Sequence, residues 1–173
     1  MSLLDGEMRI HFSVDSDKDI KLFGTNGYTA HSKPDGLWYS IEGQESHGWR
    51  AWCKGEHFRM DSFKAAWKIE FKDELEVLQL DTYSLLSFTN QYASNTEDYL
   101  NRNDFIHGIN WDEVAKDFKA IEITPYAWEH RLTSQCAWYY GWDCASGCVW
   151  DVSCIESFKR IPMSLVPLYK EDD

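Results

Sequence analysis

The chain has 173 residues, 43% of them hydrophobic and 16% aromatic, and its 17 Lys and Arg against 29 Asp and Glu leave a net charge of −12. This length and aromatic content predict one folded domain, residues 1–173, with a buried core. The negative charge argues against bulk attraction to nucleic acids or anionic membranes, although a local basic groove stays compatible with it.

No run of about 18 apolar residues is present, so we expect no transmembrane helix. The first residues, MSLLDGEMRIHF, lack the basic region and the long apolar core of a signal peptide. We therefore expect a cytoplasmic protein. The acidic C-terminal tail, about residues 168–173, is expected to be solvated.

Hydrophobic periodicity predicts the regular elements. Strands are expected at residues 8–14, 36–41, 65–71, 75–80, 120–124 and 147–152. Helices are expected at residues 47–58, 82–93 and 110–118. This order predicts an α+β fold in which the strands are antiparallel or mixed.

The remaining segments are predicted to be irregular. We expect a short extended piece at 21–23, loops at 24–35 and 94–109, and a short helix or turn at 126–133. A turn or helix start is expected at 155–158, followed by a tail at 160–173.

The most unusual stretch is residues 138–150, WYYGWDCASGCVW, which holds three of the nine Trp. Gly141 and Gly147 bracket residues 142–146 and favour a tight turn around Trp142, Asp143 and Cys144. The Asp143 carboxylate either bonds local backbone amides, as Asp often does in turns, or points into an aromatic-walled pocket with Ser146 nearby. The stretch is also compatible with plain core packing.

Two predicted strands carry candidate ligand-binding residues. His11 and Ser13 lie on the first strand, where a His either serves a polar ligand or is an ordinary strand residue. On the second strand, Tyr39 faces away from Trp38 and Ser40, because neighbouring residues alternate between faces. An aromatic platform with a hydroxyl suits a flat heteroaromatic ring, and core packing is the alternative.

Charged residues late in the chain are further candidates. Glu122, between two Ile residues, is either a buried acid with a raised pKa or part of the solvent-facing side of the sheet. Glu129, His130 and Arg131 either bind an anion through Arg131 or form a charged surface helix.

The five Cys residues are an odd number in a chain without a secretion signal, which favours free thiols. Their spacing lacks the paired Cys-x-x-Cys pattern of structural zinc, so we expect no metal, with a zinc-stapled domain as the weakest alternative. Phosphate-loop, dinucleotide-binding, zinc-protease and serine-hydrolase motifs are absent from the sequence.

Short blocks resemble the ADP-ribosyltransferase fold. RIHFS at residues 9–13 resembles its first strand, and GLWYS at residues 36–40 resembles the second strand of the nicotinamide pocket. WRAWC at 49–53, IEITPY at 121–126 and YGWDCASGCVW at 140–150 are similar to small bacterial and phage proteins of that fold. The two strand blocks together comprise ten of the 173 residues.

This resemblance implies a split, mostly antiparallel sheet with short flanking helices that holds NAD in a cleft. It implies that His11 hydrogen-bonds the nicotinamide ribose, that Tyr39 stacks on the nicotinamide ring and that Ser40 supports it. The NAD-binding residues are then expected to be His11, Ser13, Trp38, Tyr39, Ser40, Trp142 and Ser146.

The family usually places a catalytic Glu at the start of a late strand, but the corresponding residues here, 143–149, contain none. Asp143 or Glu122 is therefore expected to supply the acid, beside His11 and Tyr39 in the catalytic set. The leading hypothesis is transfer of ADP-ribose from NAD to a protein or nucleic-acid acceptor. The alternative is a non-catalytic acidic binding or inhibitor protein that acts on a basic protein surface, encoded by a phage or mobile element.

Overall fold

The computed structural model describes residues 6–15, 33–94 and 108–170. Its strands are β1 Met8–Ser13, β2 Leu37–Glu42, β3 Ala65–Phe71, β4 Val77–Leu80, β5 Ala120–Ile123, β6 Ser146–Val149 and β7 Ile155–Ile161. Its α-helices are α1 Trp49–Gly55, α2 Leu85–Tyr92 and α3 Trp111–Val114. A 3₁₀ segment, Ser134–Gly141, precedes β6.

All seven strands form one mixed sheet in the order β4-β5-β6-β2-β1-β3-β7. β4 and β5 are parallel, and the chain between them contains α2 and α3. Every other neighbouring pair in the described sheet is antiparallel. The predicted α+β class and the mostly antiparallel sheet are therefore confirmed.

The sheet splits between β1 and β2. Their register runs from Met8↔Glu42 to Ile10↔Ser40. Beyond that point β1 continues along β3 as far as Ser13, and β2 runs along β6 from Leu37. The two halves of the sheet therefore separate at His11, and the cleft between them is open to other groups.

The core contains most of the Trp residues and unites helices with the sheet. Trp111 packs edge-on against Trp138 with ring centroids 5.8 Å apart, and Phe88 of α2 packs on both. The Trp138 indole donates to Thr89, so its one polar atom is satisfied inside the core. The aromatic stretch at 138–150 is thus largely core and fixes the approach to β6.

Two predicted segments are wrong. The expected turn or helix start at 155–158 is instead part of β7, which pairs with β3. The expected tail at 160–173 begins inside this strand, and Val166 is buried against Ile10 and Ala66. The extended piece at 21–23 and most of the loops at 24–35 and 94–109 lie outside the described residues. Within the described ranges, no helix has the length and apolar character needed to cross a membrane.

Candidate functional site

A pocket of about 280 Å³ lies where β1 and β2 separate. Ile10 and Phe12 of β1 form one side, Trp38 and Ser40 of β2 form another, and Trp49 of α1 contributes to the wall. This volume lies just below the usual range of small-molecule sites, about 300–1,000 Å³. Seven of the nine residues predicted from the sequence line it: His11, Trp38, Tyr39, Ser40, Trp142, Asp143 and Ser146.

His11 occupies the gap that opens when the two strands stop pairing. Its Nδ1 lies 2.7 Å from the carbonyl oxygen of Trp38. A carbonyl only accepts, so Nδ1 carries the proton and neutral His11 keeps an acceptor lone pair on Nε2. Burial lowers the pKa of His11, with the Trp38 carbonyl acting in the opposite direction, so the neutral form is favoured. Nε2 has no hydrogen-bond partner among the described residues.

Two indole rings of the pocket wall pack against each other. Trp38 and Trp142 meet edge to face with centroids 4.8 Å apart. Trp142 is fully buried, and its carbonyl accepts a hydrogen bond from the Tyr126 hydroxyl, which holds this wall in place. The Lys33 ammonium lies 5.2 Å from the centre of the Trp38 ring. The face of Trp38 therefore already attracts a cation.

Ser40 is held by a network that the sequence interpretation missed. Its hydroxyl donates to Glu42 Oε1 at 2.6 Å and accepts from the Trp49 backbone N–H at 2.6 Å. Glu42 is buried, and burial raises its pKa against the opposing effect of these hydrogen bonds. In LWYSIE, alternate residues share a face, so Glu42 lies on the same face as Trp38 and Ser40. This alternation could have predicted that Glu42 belongs to the site. The network fixes Trp49 at the start of α1 and thereby shapes the pocket wall.

Asp143 is the carboxylate that lines the pocket. It is half-exposed, and its Oδ1 lies 3.6 Å from Nη2 of Arg131. This pair is long and partly solvated, so it costs little to separate. The carboxylate is accessible from the pocket and has a cation beside it.

Ser146 lines the pocket with its hydroxyl already engaged, because Oγ donates to the Cys144 carbonyl at 2.9 Å. Ser13 lies outside the pocket lining, and its hydroxyl exchanges hydrogen bonds with the backbone of Asp15. The role expected of Ser13 in binding NAD therefore has no geometric support in the described residues.

Tyr39 points its ring to the opposite face of the sheet. It is aligned with Gly147 of β6, which in turn is aligned with Glu122 of β5, and its hydroxyl donates to Glu122 Oε2 at 3.1 Å. Because its ring lies on the other face, Tyr39 lines the pocket with its backbone, and Trp38 supplies the aromatic surface there. The expected stacking of Tyr39 on a ligand does not fit this orientation.

Glu122 is neither solvent-facing nor a free acid. It is 1% exposed and accepts hydrogen bonds from Arg9 Nε at 2.6 Å and from Arg9 Nη2 at 3.2 Å. Arg9 also forks onto Glu74 at 2.8 and 2.7 Å. Burial works to lower the pKa of Arg9, but its bonds to the two carboxylates raise it overall. Glu122 is thus part of a satisfied buried ion network behind the pocket, which leaves Asp143 as the acid that faces it.

All five Cys residues are buried free thiols. Burial raises the pKa of Cys53 to about 11 and that of Cys154 to about 11, so neither is a thiolate at neutral pH. The described part of the chain contains no cluster of three or more His, Cys, Asp or Glu side chains that could hold a metal ion.

No protein-family model, no curated protein and no solved structure matches this chain. Fold and site together define an α+β protein with an aromatic pocket set into a split sheet.

Proposed function

We propose that this protein binds NAD in the split of its sheet and acts as an ADP-ribosyltransferase-like enzyme that modifies a macromolecular acceptor. The observation that supports this most is that His11, the Trp38–Trp142 pair and Asp143 all line one pocket. These groups come from β1, β2 and the turn before β6, so only the folded sheet assembles them.

The indole pair suits the charged end of NAD. The nicotinamide ring of NAD is flat and cationic, and a cation over an indole face is attracted by the ring quadrupole. The position of Lys33 over Trp38 shows that this face is accessible to a positive group. A bound nicotinamide would take that place, and Lys33 would then be available for an anionic group such as the NAD diphosphate.

His11 suits the adjoining sugar. A lone pair on Nε2 accepts a hydrogen bond from a hydroxyl and cannot donate one while the ring is neutral. The Trp38 carbonyl fixes both the tautomer and the ring orientation through the 2.7 Å bond at Nδ1. A ribose hydroxyl is therefore the group expected at Nε2.

Asp143 suits the chemical step. When the bond between nicotinamide and ribose breaks, its electron pair returns to the ring nitrogen and positive charge develops on the sugar. A nearby carboxylate stabilises that charge. The lone pair of an acceptor nitrogen or oxygen forms the new bond to the sugar, and Asp143 takes the proton that the acceptor loses.

The test is a titration of the purified protein with NAD, followed by thermal shift, with nicotinamide release measured in the same sample. NADH is the matched control, because its ring is neutral while the rest of the molecule is the same. We expect stabilisation by NAD, weaker stabilisation by NADH, and nicotinamide release that increases when acceptor is added. A protein that neither shifts nor releases nicotinamide with NAD would rule the proposal out.

A second candidate is a non-catalytic acidic protein that binds a basic protein surface. The net charge of −12 favours it, as does the engagement of Asp143 by Arg131. It predicts a complex that weakens as salt is added, because surface charges are screened. A salt-sensitive complex with a basic protein, together with no stabilisation by NAD, would favour this candidate over the enzyme.

A further inference from the structure

An aromatic cluster extends from the pocket wall onto the surface. Trp49, which lines the pocket, stacks on Trp52 with ring centroids 4.9 Å apart and planes 11° apart. Phe58 packs edge-on against both, at 6.1 Å and 5.5 Å. Phe58 is 40% exposed and Met60 is 52% exposed, whereas the two Trp are half-buried. The rings therefore form a continuous path from the pocket to solvent.

The same segment has a charge opposite to that of the protein. Residues 49–64 hold four of the 17 Lys and Arg and two of the 29 Asp and Glu. The cations are Arg50, Lys54, Arg59 and Lys64. The Arg59 guanidinium lies 5.2 Å from the centre of the Phe58 ring. We call residues 49–64 the basic aromatic surface.

The backbone of this surface is held in an uncommon conformation. His57 has φ of 52° and Arg59 has φ of 44°, both in the left-handed region that non-glycine residues rarely adopt. These two residues flank Phe58 and set its ring against Trp49 and Trp52. Such strain persists where the surrounding contacts hold it in place, and it is common at functional sites.

We propose that the basic aromatic surface binds single-stranded nucleic acid and presents it to the pocket as the acceptor, an assignment of the acceptor that rests on the proposed function. Exposed bases stack on aromatic side chains, and Lys and Arg contact the phosphates between them. A strand that lies along Phe58 and Trp52 reaches Trp49 and so the pocket wall. The cations of this surface contact the phosphates in an otherwise acidic protein, so binding is local and sensitive to salt.

A protein acceptor fits this surface less well. Its cations outnumber its anions two to one, whereas the cores of protein interfaces are depleted in charge. The residues better suited to a protein partner lie elsewhere, at Trp128, Leu132 and Tyr140, which are large, exposed and uncharged. This group also adjoins the pocket, through the contacts of Arg131 with Tyr140 and Asp143. It therefore serves as an internal control.

The experiment measures binding of a short fluorescein-labelled single strand, as DNA and as RNA, by anisotropy in a salt series without NAD. The variants are Phe58→Ala and Arg59→Asn, the second chosen because Asn tolerates a positive φ while removing the charge. The controls are Lys116→Gln, a cation on another surface, and Trp128→Ala. Thermal unfolding of each variant checks that it is folded.

We expect Phe58→Ala and Arg59→Asn to weaken single-strand binding about tenfold or more, the size of effect seen when a stacking or phosphate contact is lost. The two controls should stay within about twofold of the unmodified protein. Binding should weaken as salt rises, and a duplex of the same sequence should bind less well than the strand.

Absence of single-strand binding, equal binding of the duplex, or loss of binding in Trp128→Ala alone would overturn the docking surface. Because NAD is left out, these results are independent of whether the pocket binds NAD. Adding NAD that carries a label on its ADP-ribose then tests the acceptor: label on the bound strand supports the assignment, and label on an added protein but not on the bound strand overturns it.

Discussion

His11 donates a hydrogen bond from Nδ1 to the carbonyl oxygen of Trp38 across 2.7 Å, at the point where β1 and β2 stop pairing. The His11 side chain thus bonds a backbone carbonyl just beyond the last paired residues of β1 and β2. The bond occupies the space between the two separating strands and fixes the orientation of the His11 ring. The opening of the sheet and the orientation of its candidate ligand group therefore have the same cause.

Replacing His11 by Ala is expected to weaken NAD binding about tenfold or more, because a hydrogen bond to a sugar hydroxyl is lost and the Trp38 carbonyl is left without its donor. The matched control is Ser13→Ala on the same strand, since Ser13 lies outside the pocket lining. Calorimetric titration of both variants with NAD measures the difference. Equal NAD affinities for the two variants would mean that His11 does not contribute to NAD binding.

Local alternation was sufficient to predict most of the sheet. The strand expected at 65–71 is β3 as observed, and the strands expected at 8–14 and 36–41 differ from β1 and β2 by one residue at their ends. β7 was missed because its register with β3 shifts between Glu70 and Phe71. The irregularity leaves Ile155 and Phe158, three residues apart, aligned with Phe71 and Ile69 of one face, so the period of two is broken. A bulge of this kind depends on the partner strand.

In the site, too, local sequence patterns predicted some features, whereas features that depend on distant residues could not be predicted. The alternation of Trp38, Tyr39 and Ser40 was enough to place the first and third on one face. The surroundings of Glu122 could not be predicted, because its ion partner Arg9 is 113 positions away in the chain. A carboxylate flanked by two Ile looks solvent-facing until β1 brings a guanidinium over it. Only the assembled sheet decides between the two interpretations.

Replacing Asp143 by Asn is expected to lower nicotinamide release about 100-fold or more while changing NAD affinity little, because a general base and a negative charge are lost without a change in shape. The control is Arg131→Gln, which leaves the carboxylate and removes the cation beside it. That variant should keep turnover within several-fold. Single-turnover release of nicotinamide separates the two, and an active Asp143→Asn enzyme would place the acid elsewhere.

Replacing Glu122 by Gln is expected to lower the free energy of unfolding by about 3–5 kcal/mol, because Arg9 stays buried with one of its two carboxylates neutralised. Its remaining partner, Glu74, is 46% exposed at the side chain and compensates poorly. Glu113→Gln is the control, since its pair with Lys116 is exposed and worth about 1 kcal/mol or less. Urea unfolding compares the variants, and equal losses would mean that the buried pair contributes no more than the surface pair.

Replacing Gly147 by Ala is expected to cost about 3 kcal/mol or more of the free energy of unfolding. An added Cβ would lie 2.3 Å from the Tyr39 hydroxyl and 2.5 Å from the Ile121 carbonyl oxygen, and the second of these is backbone that cannot move aside. Gly147 thus allows the Tyr39 ring to cross the strand and reach Glu122. In Gly55→Ala the new Cβ meets no atom within 4 Å, so that variant should be neutral or slightly more stable. Thermal unfolding of the pair measures the contrast, and a stable Gly147→Ala protein would contradict the packing described.

The lowered pKa of His11 predicts how stability depends on pH. Burial depresses this pKa in the folded protein, so the unfolded chain, with a His pKa of about 6.5, binds more protons between the two values. The contribution of His11 is therefore complete above about pH 6.5 and is lost as the pH falls towards the lowered value. His11→Gln has no titrating ring and should reduce this loss, with a limit of about 1.4 kcal/mol per pH unit for one proton. Urea unfolding of both proteins across this range measures the difference.

The contributions of other ionisable groups cancel when the unmodified protein is compared with His11→Gln. Burial also lowers the pKa of His47, which acts with the same sign as His11, whereas Glu42 has a raised pKa and stabilises the fold as the pH falls. Both are present in the unmodified protein and in His11→Gln, so the difference between the two slopes belongs to His11. Ser13→Ala should keep the slope of the unmodified protein. If His11→Gln kept it as well, His11 would titrate in the folded protein as it does in the unfolded chain, and the neutral Nε2 acceptor would not be the form favoured by burial.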